Sequence, residues 1–184
     1  YLRYGMLDSA SSIANGMLER DSSLINRKKA IAIFYSVFER SLDQNDAAIQ
    51  ASKLRPLVAE ALEESPEDLD LKNKLAMTLV TTENPMAAIT MLREVINEDP
   101  GNREALINLG LLSMRSGQFD KAVGRFETLL SLDSADHESK LYLGVALTEI
   151  GKKEEANSLF EQIIETSTVD PAIRQSAQEY LERD

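Results

Sequence analysis

The chain has 184 residues, with 20 Lys plus Arg against 31 Asp plus Glu, a formal charge of -11, one His, no Cys and no Trp. The acidic surplus opposes a nucleic-acid partner, because there is no basic excess to release counterions. The lack of Cys excludes disulfides, thiol catalysis and Cys-ligated metal, and a lone His removes most metal and acid–base constellations.

Residues 1–25 are polar and Ser-rich, with weak periodicity around Met17, Leu18 and Leu24. They read as either a linker or a short helix. Asn26 to Leu42 follows as an amphipathic helix, with Ile31, Phe34, Val37, Phe38 and Leu42 on one side, and Asn45-Asp46 marks its boundary. Residues 46–64 read as a second helix, in which Pro56 predicts a kink or break near Ser52 to Arg55. Residues 26–66 thus form a divergent N-terminal helical hairpin, ahead of a body at 67–184. The longest mostly apolar stretch, Ala30 to Phe38, is far below the roughly 20 residues that cross a bilayer. The chain opens on Tyr1 rather than Met. A fragment or processed product is therefore expected, with an anchor upstream of Tyr1 as one variant and the compartment open between cytoplasm and periplasm.

The body repeats every 34 residues. Ala76, Gly110 and Gly144 share a column, each preceded by Leu75, Leu109 or Leu143. Ala88, Ala122 and Ala156 form a second column; Leu92, Phe126 and Phe160 a third; Val95, Leu129 and Ile163 a fourth. A small residue beside Leu lets two antiparallel helices approach. Ala, a large residue four on and an aliphatic three further make one face of a helix. Asp68, Asn102 and Asp136 suit helix N-caps. Pro66 and Pro100 lie between helices, and Gly117, Gly151 and Asn84-Pro85 occupy the turns inside the repeats. Pro171 to Asp184 reads as a capping helix, started by Asp170 and Pro171, with an apolar stripe of Ile173, Ala177, Tyr180 and Leu181.

These columns resemble the tetratricopeptide repeat family, with three full repeats at 69–102, 103–136 and 137–170 and the capping helix at 171–184. Lys72 and Lys140 stand where that pattern has a large residue, and Ser113 where it has a bulky one. The resemblance implies an all-α, right-handed solenoid of antiparallel helix pairs whose first helices line a concave groove. It implies that Asp70, Asn73, Met77, Val80 and Thr81 face the groove in the first repeat. Glu104, Ile107, Leu111, Met114 and Arg115 follow in the second, and Glu138, Leu141, Val145, Thr148 and Glu149 in the third. Some members grip a C-terminal carboxylate there. At the corresponding places stand Asn73 and Met77, Asn108 and Leu111, and Glu138 and Tyr142. The cations are missing, which disfavours that mode.

The apolar centre of the groove suits an amphipathic helix or extended peptide; alternatively, one of the chain's own terminal helices covers it. Asp70, Glu104 and Glu138 either steer a Lys- or Arg-bearing ligand or, each in a first helical turn, favour the helix dipole. Arg27-Lys28-Lys29, the only compact basic run, is either a lipid contact or a solvated helix start. His137 has no companions for a metal site. No nucleophile elbow or phosphate-binding Gly-rich loop occurs.

The expectation is a non-catalytic scaffold without cofactors, binding an amphipathic, partly basic protein segment, with a membrane-tethered assembly factor as a variant. Two alternatives are a homodimer without peptide ligand, built through an end helix or the N-terminal hairpin and motivated by Phe34, Tyr35 and Phe38, and a module that positions an upstream catalytic region. The short, plain repeats suggest bacterial origin.

Overall fold

Short polar side chains set where the helices begin. In the computed structural model, the Asp68 carboxylate accepts from the Leu71 amide at 3.0 Å, Asn102 from the Ala105 amide at 3.1 Å and Asp136 from the Ser139 amide at 3.1 Å. Asp170 accepts from the Ala172 amide at 2.7 Å. Each bond satisfies a first-turn donor that the helix cannot, worth about 1 kcal/mol.

The structure describes residues 2–41, 43–80 and 85–183, with side chains from Ser9 onward. Leu42, Thr81 and Asn84, placed above on a helix face, in the groove and in a turn, lie outside the described residues. The elements are α1 (Leu2–Arg20), α2 (Leu24–Glu39), α3 (Gln44–Glu64), α4 (Leu69–Val80), α5 (Pro85–Glu98), α6 (Arg103–Arg115), α7 (Phe119–Leu132), α8 (His137–Glu149), α9 (Lys153–Glu165) and α10 (Pro171–Leu181). No strand occurs among the described residues. The chain divides into two compact units, Tyr1–Val95 and Ile96–Asp184.

In the second unit, α6–α7 and α8–α9 are antiparallel hairpins closed by α10. Gly117 and Gly151 turn them with φ of +72° and +80°, a backbone that a side chain would strain. The fully buried Phe126 ring lies on Gly110, and that of Phe160 on Gly144. A Cβ at Gly110 would meet Phe126 Cζ at 2.5 Å, and one at Gly144 would meet Phe160 Cε1 at 2.5 Å. The small-residue column is therefore a steric requirement of the aromatic column. The repeat that carries Leu92 in place of Phe also carries Ala76 in place of Gly. Tyr142 of α8 then packs on Phe126 with centroids 5.5 Å apart, and Tyr180 of α10 stacks on Phe160 at 5.6 Å. Ring contacts thus join one hairpin to the next helix.

Ser113, which stands where the repeat pattern has a bulky residue, is buried, and its Oγ accepts from Arg125 Nη1 at 2.7 Å. The same two repeat positions hold Leu147 and Leu159 one repeat later. An apolar pair has been exchanged for a polar one with its hydrogen bond made.

In the first unit, α2 is the central element, packed against α1 and α3. Ala30, Ile31, Phe34, Tyr35, Val37 and Phe38 are all buried on it, so its apolar surface extends beyond one stripe. This corrects the reading of Phe34, Tyr35 and Phe38 as an excess available for self-association: they are 7 %, 6 % and 9 % exposed within the unit itself. Residues 2–20 form a full 19-residue helix. Of the kink or break expected at Pro56, the break does not occur: α3 runs from Gln44 to Glu64 through it. The helix also starts earlier than Asn45-Asp46 suggested, because Asp43 is its cap and accepts from the Asp46 amide at 2.8 Å.

Candidate functional site

The candidate residues lie on the first helices of the hairpins, α4, α6 and α8, and their depth differs along each helix. On α4, Asp70 is exposed, Met77 and Val80 are half-buried and Asn73 is buried at 1 % exposure. On α6, Glu104, Leu111 and Met114 are half-buried and Arg115 is exposed, whereas Ile107 is buried. On α8, Glu138 and Thr148 are half-buried, while Leu141 and Val145 are buried. Ile107, Leu141 and Val145 belong to the hydrophobic core of the second unit. They are structural there rather than open to a ligand, which corrects part of the expected apolar groove.

The acidic positions are compensated inside the fold. Asp70 pairs with Lys74 one turn on, and Lys74 lies 5.2 Å from the Tyr35 ring centroid. Arg103 opens α6 and reaches the start of α8. Its Nε and Nη2 donate to Asp136 Oδ2 and Oδ1 at 2.8 and 3.0 Å, and Nη2 also donates to Glu138 Oε2 at 2.8 Å. The Tyr142 hydroxyl donates to the other Glu138 oxygen at 3.4 Å.

Burial pushes the Asp136 carboxyl up. The Arg103 hydrogen bond, the amide and hydroxyl of Ser139 and the guanidinium charge outweigh it, leaving the group below its ordinary value. Asp68 behaves alike: desolvation raises it, while Lys28 and the Leu71 amide bring it below normal. The Tyr142 hydroxyl is raised, first by burial and then by the Glu138 charge.

The basic run is likewise engaged. Arg27 pairs with Glu64 and Glu60, and Lys28 with Asp68 at 2.6 Å, which favours the reading as a helix start. His137 stands at the first position of α8, and among the described residues no group of side chains is placed to hold a metal ion. No described helix is long and apolar enough to cross a membrane.

Asn108 departs from this pattern of satisfied groups. It is the counterpart, one repeat either way, of Lys74 and Tyr142. Those two reach back one turn to Asp70 and Glu138. The Asn108 amide is shorter, is 8 % exposed, and leaves Nδ2 buried with no hydrogen-bond partner. Glu104, Asn108, Leu111 and Arg115 recur at i, i+4, i+7 and i+11, one stripe of α6. The stripe is acidic at its start, basic at its end and apolar at Leu111, with an unsatisfied donor between. Sequence reasoning included Asn108 among the site residues, but its missing partner is visible only in three dimensions.

Antiparallel helical hairpins at a 34-residue spacing, each packed on the next helix, define an all-α helical-repeat protein. Residues 108–171 match the tetratricopeptide repeat family model, and that segment of the chain carries tetratricopeptide repeats. Tetratricopeptide repeats generally serve as protein-interaction scaffolds. No curated protein sequence matches the chain. Among solved structures it is similar to YrrB, described as a TPR protein with an unusual peptide-binding site, at 19% identity and TM-score 0.59, over 92% of this chain and 90% of that one. It is also similar to TTC0263, a thermophilic TPR protein of Thermus thermophilus, at 16% identity and TM-score 0.61, over 95% and 98%. MamA matches at 19% identity and TM-score 0.58, over 97% and 92%. At these identities the likeness concerns the fold.

Proposed function

We propose that the chain is a non-catalytic scaffold that holds a short peptide or helical segment of another protein along the partly exposed stripe of α6. The observation that carries this reading is Asn108, whose buried Nδ2 has no partner within the protein. A buried donor left unpaired costs about 1–3 kcal/mol, and a turn of the Asn108 side chain toward Leu111 would bring it to a carbonyl of an incoming backbone. Leu111 and Met114, both half-buried, supply apolar contact beside it, and Met adapts its shape to what it meets. Asp70 and Glu138 are already paired with Lys74 and Arg103, so they do not set the ligand's charge.

The test is a peptide selected against the intact chain from a random displayed library. Leu111→Glu should lower its affinity at least about tenfold, or 1.4 kcal/mol, with the helical circular dichroism unchanged. Leu132→Glu, at a position 61% exposed on α7, should leave binding within about twofold. Equal binding by wild type and Leu111→Glu would end the proposal.

A further inference from the structure

The first unit contains a cleft of about 460 Å³ bounded by α1, α2 and α3. Its volume lies within the range of ordinary ligand sites. Phe34, itself 7 % exposed, forms the floor, with half-buried Leu18 and Leu57 beside it. The rim is polar: Ser11 and Asn15 come from α1, and the exposed Lys53 from α3.

Lys53 is the cation among the residues lining the cleft, and its charge is uncommitted where those of several neighbouring cations are not. Arg27, Lys28 and Lys74 pair with carboxylates, and Arg55 donates to the Thr78 carbonyl at 3.2 Å. Among the described residues Lys53 has no ion pair and no hydrogen bond. Three groups that can donate to a carboxylate therefore surround an apolar floor, in a chain whose net charge is -11.

Two features favour a protein segment over a small molecule. The rim residues Asn15, Lys53 and Pro56 are exposed, so this is an open cleft rather than an enclosure that could bury most of a small ligand. The apolar lip also continues along α3: Ile49, one turn before Lys53, is 46% exposed. Pro56 is part of the wall and has no N–H to give the Ser52 carbonyl, so that backbone acceptor is not used by the helix.

We infer that this α1–α3 cleft is a second protein-docking surface, taking an acidic amphipathic helix of a partner whose apolar side chains enter over Phe34 and Leu57 and whose Glu or Asp meets Lys53. It is independent of the α6 stripe and selects the opposite charge from the basic ligand first expected of the groove.

The experiment uses the whole chain, isotopically labelled, and two synthetic amphipathic peptides with the same Leu positions, one bearing Glu and the other Lys on the polar face. The Glu peptide should shift the amide resonances of Ser11, Asn15, Lys53 and Leu57. Lys53→Glu, at an exposed position that the fold does not need, should weaken that peptide at least about tenfold and strengthen the Lys peptide. Shifts confined to other helices, affinity within about twofold in Lys53→Glu, or occupation of the cleft by octanoate but not by the Glu peptide would each overturn the inference.

Discussion

Asn108→Leu separates a residue kept for binding from one kept for the fold. Leu copies the branched outline of Asn: both have Cβ, Cγ and two terminal heavy atoms. It removes the polar atoms and leaves the shape nearly unchanged. Asn108 is 8 % exposed and its Nδ2 has no partner, so the folded state now carries a desolvation cost of about 1–3 kcal/mol. The lower part of that range is used for a single neutral amide donor, and Leu adds a few tenths of a kcal/mol in helix propensity. The variant should be about 1–2 kcal/mol more stable. For a chain of this length that raises the melting temperature by about 2–8 °C, read by circular dichroism. The same variant should lose affinity for the selected peptide by about tenfold or more. A lower melting temperature would mean that the amide is already satisfied inside the protein, and the reasoning from an unpaired donor would fail. Higher stability with unchanged affinity would refute its role in binding.

Gly144→Ala and Gly110→Ala should each destabilise by up to about 2 kcal/mol in urea unfolding, because overpacking against a buried ring outweighs the roughly 1 kcal/mol gained in helix propensity. Gly124→Ala has nothing within 4 Å of the added carbon and should stabilise by about 0.5–1 kcal/mol; the same sign at all three sites would contradict the ring-on-glycine account. Asp136 and Asp68 have folded-state values below the ordinary carboxylate range. Their contribution is therefore present above the unfolded value near 4 and is lost as pH falls through the lower folded values. Arg103→Ala should cost about 1 kcal/mol at neutral pH, given that Arg103 is half exposed. It should also shrink the fall in melting temperature between neutral pH and about pH 2; an unchanged acid limb would show that the pair contributes nothing.

The hairpins were legible because close packing writes itself into columns. Gly110 with Phe126 and Gly144 with Phe160 recur at a fixed spacing since each ring needs the missing Cβ opposite it. The caps were legible for the same reason: Asp68, Asn102, Asp136 and Asp170 each stand where free amides must be met. Depth was not legible. The repeat register places Ile107, Leu141 and Leu111 on the first helices, but whether a side chain turns into the core depends on neighbours that periodicity does not specify. Ile107 and Leu141 are buried and Leu111 is half open. Charge compensation also escaped, because Arg103 meets Asp136 from the preceding repeat and Lys28 meets Asp68 from a helix outside the regular columns. Ser113 departs from the bulky residue of the pattern, and its Arg125 donor is evident only in three dimensions. The α1–α3 cleft had no signal to find: its lining comes from three helices that share no repeat spacing.

The central claim is that the α6 stripe contacts another polypeptide. Intermolecular nuclear Overhauser effects between methyl-labelled protein and the selected peptide test it most directly. The account predicts effects from the Leu111 and Met114 methyls. Effects confined to methyls elsewhere, such as Leu132 and Met86, both exposed outside that stripe, would contradict it.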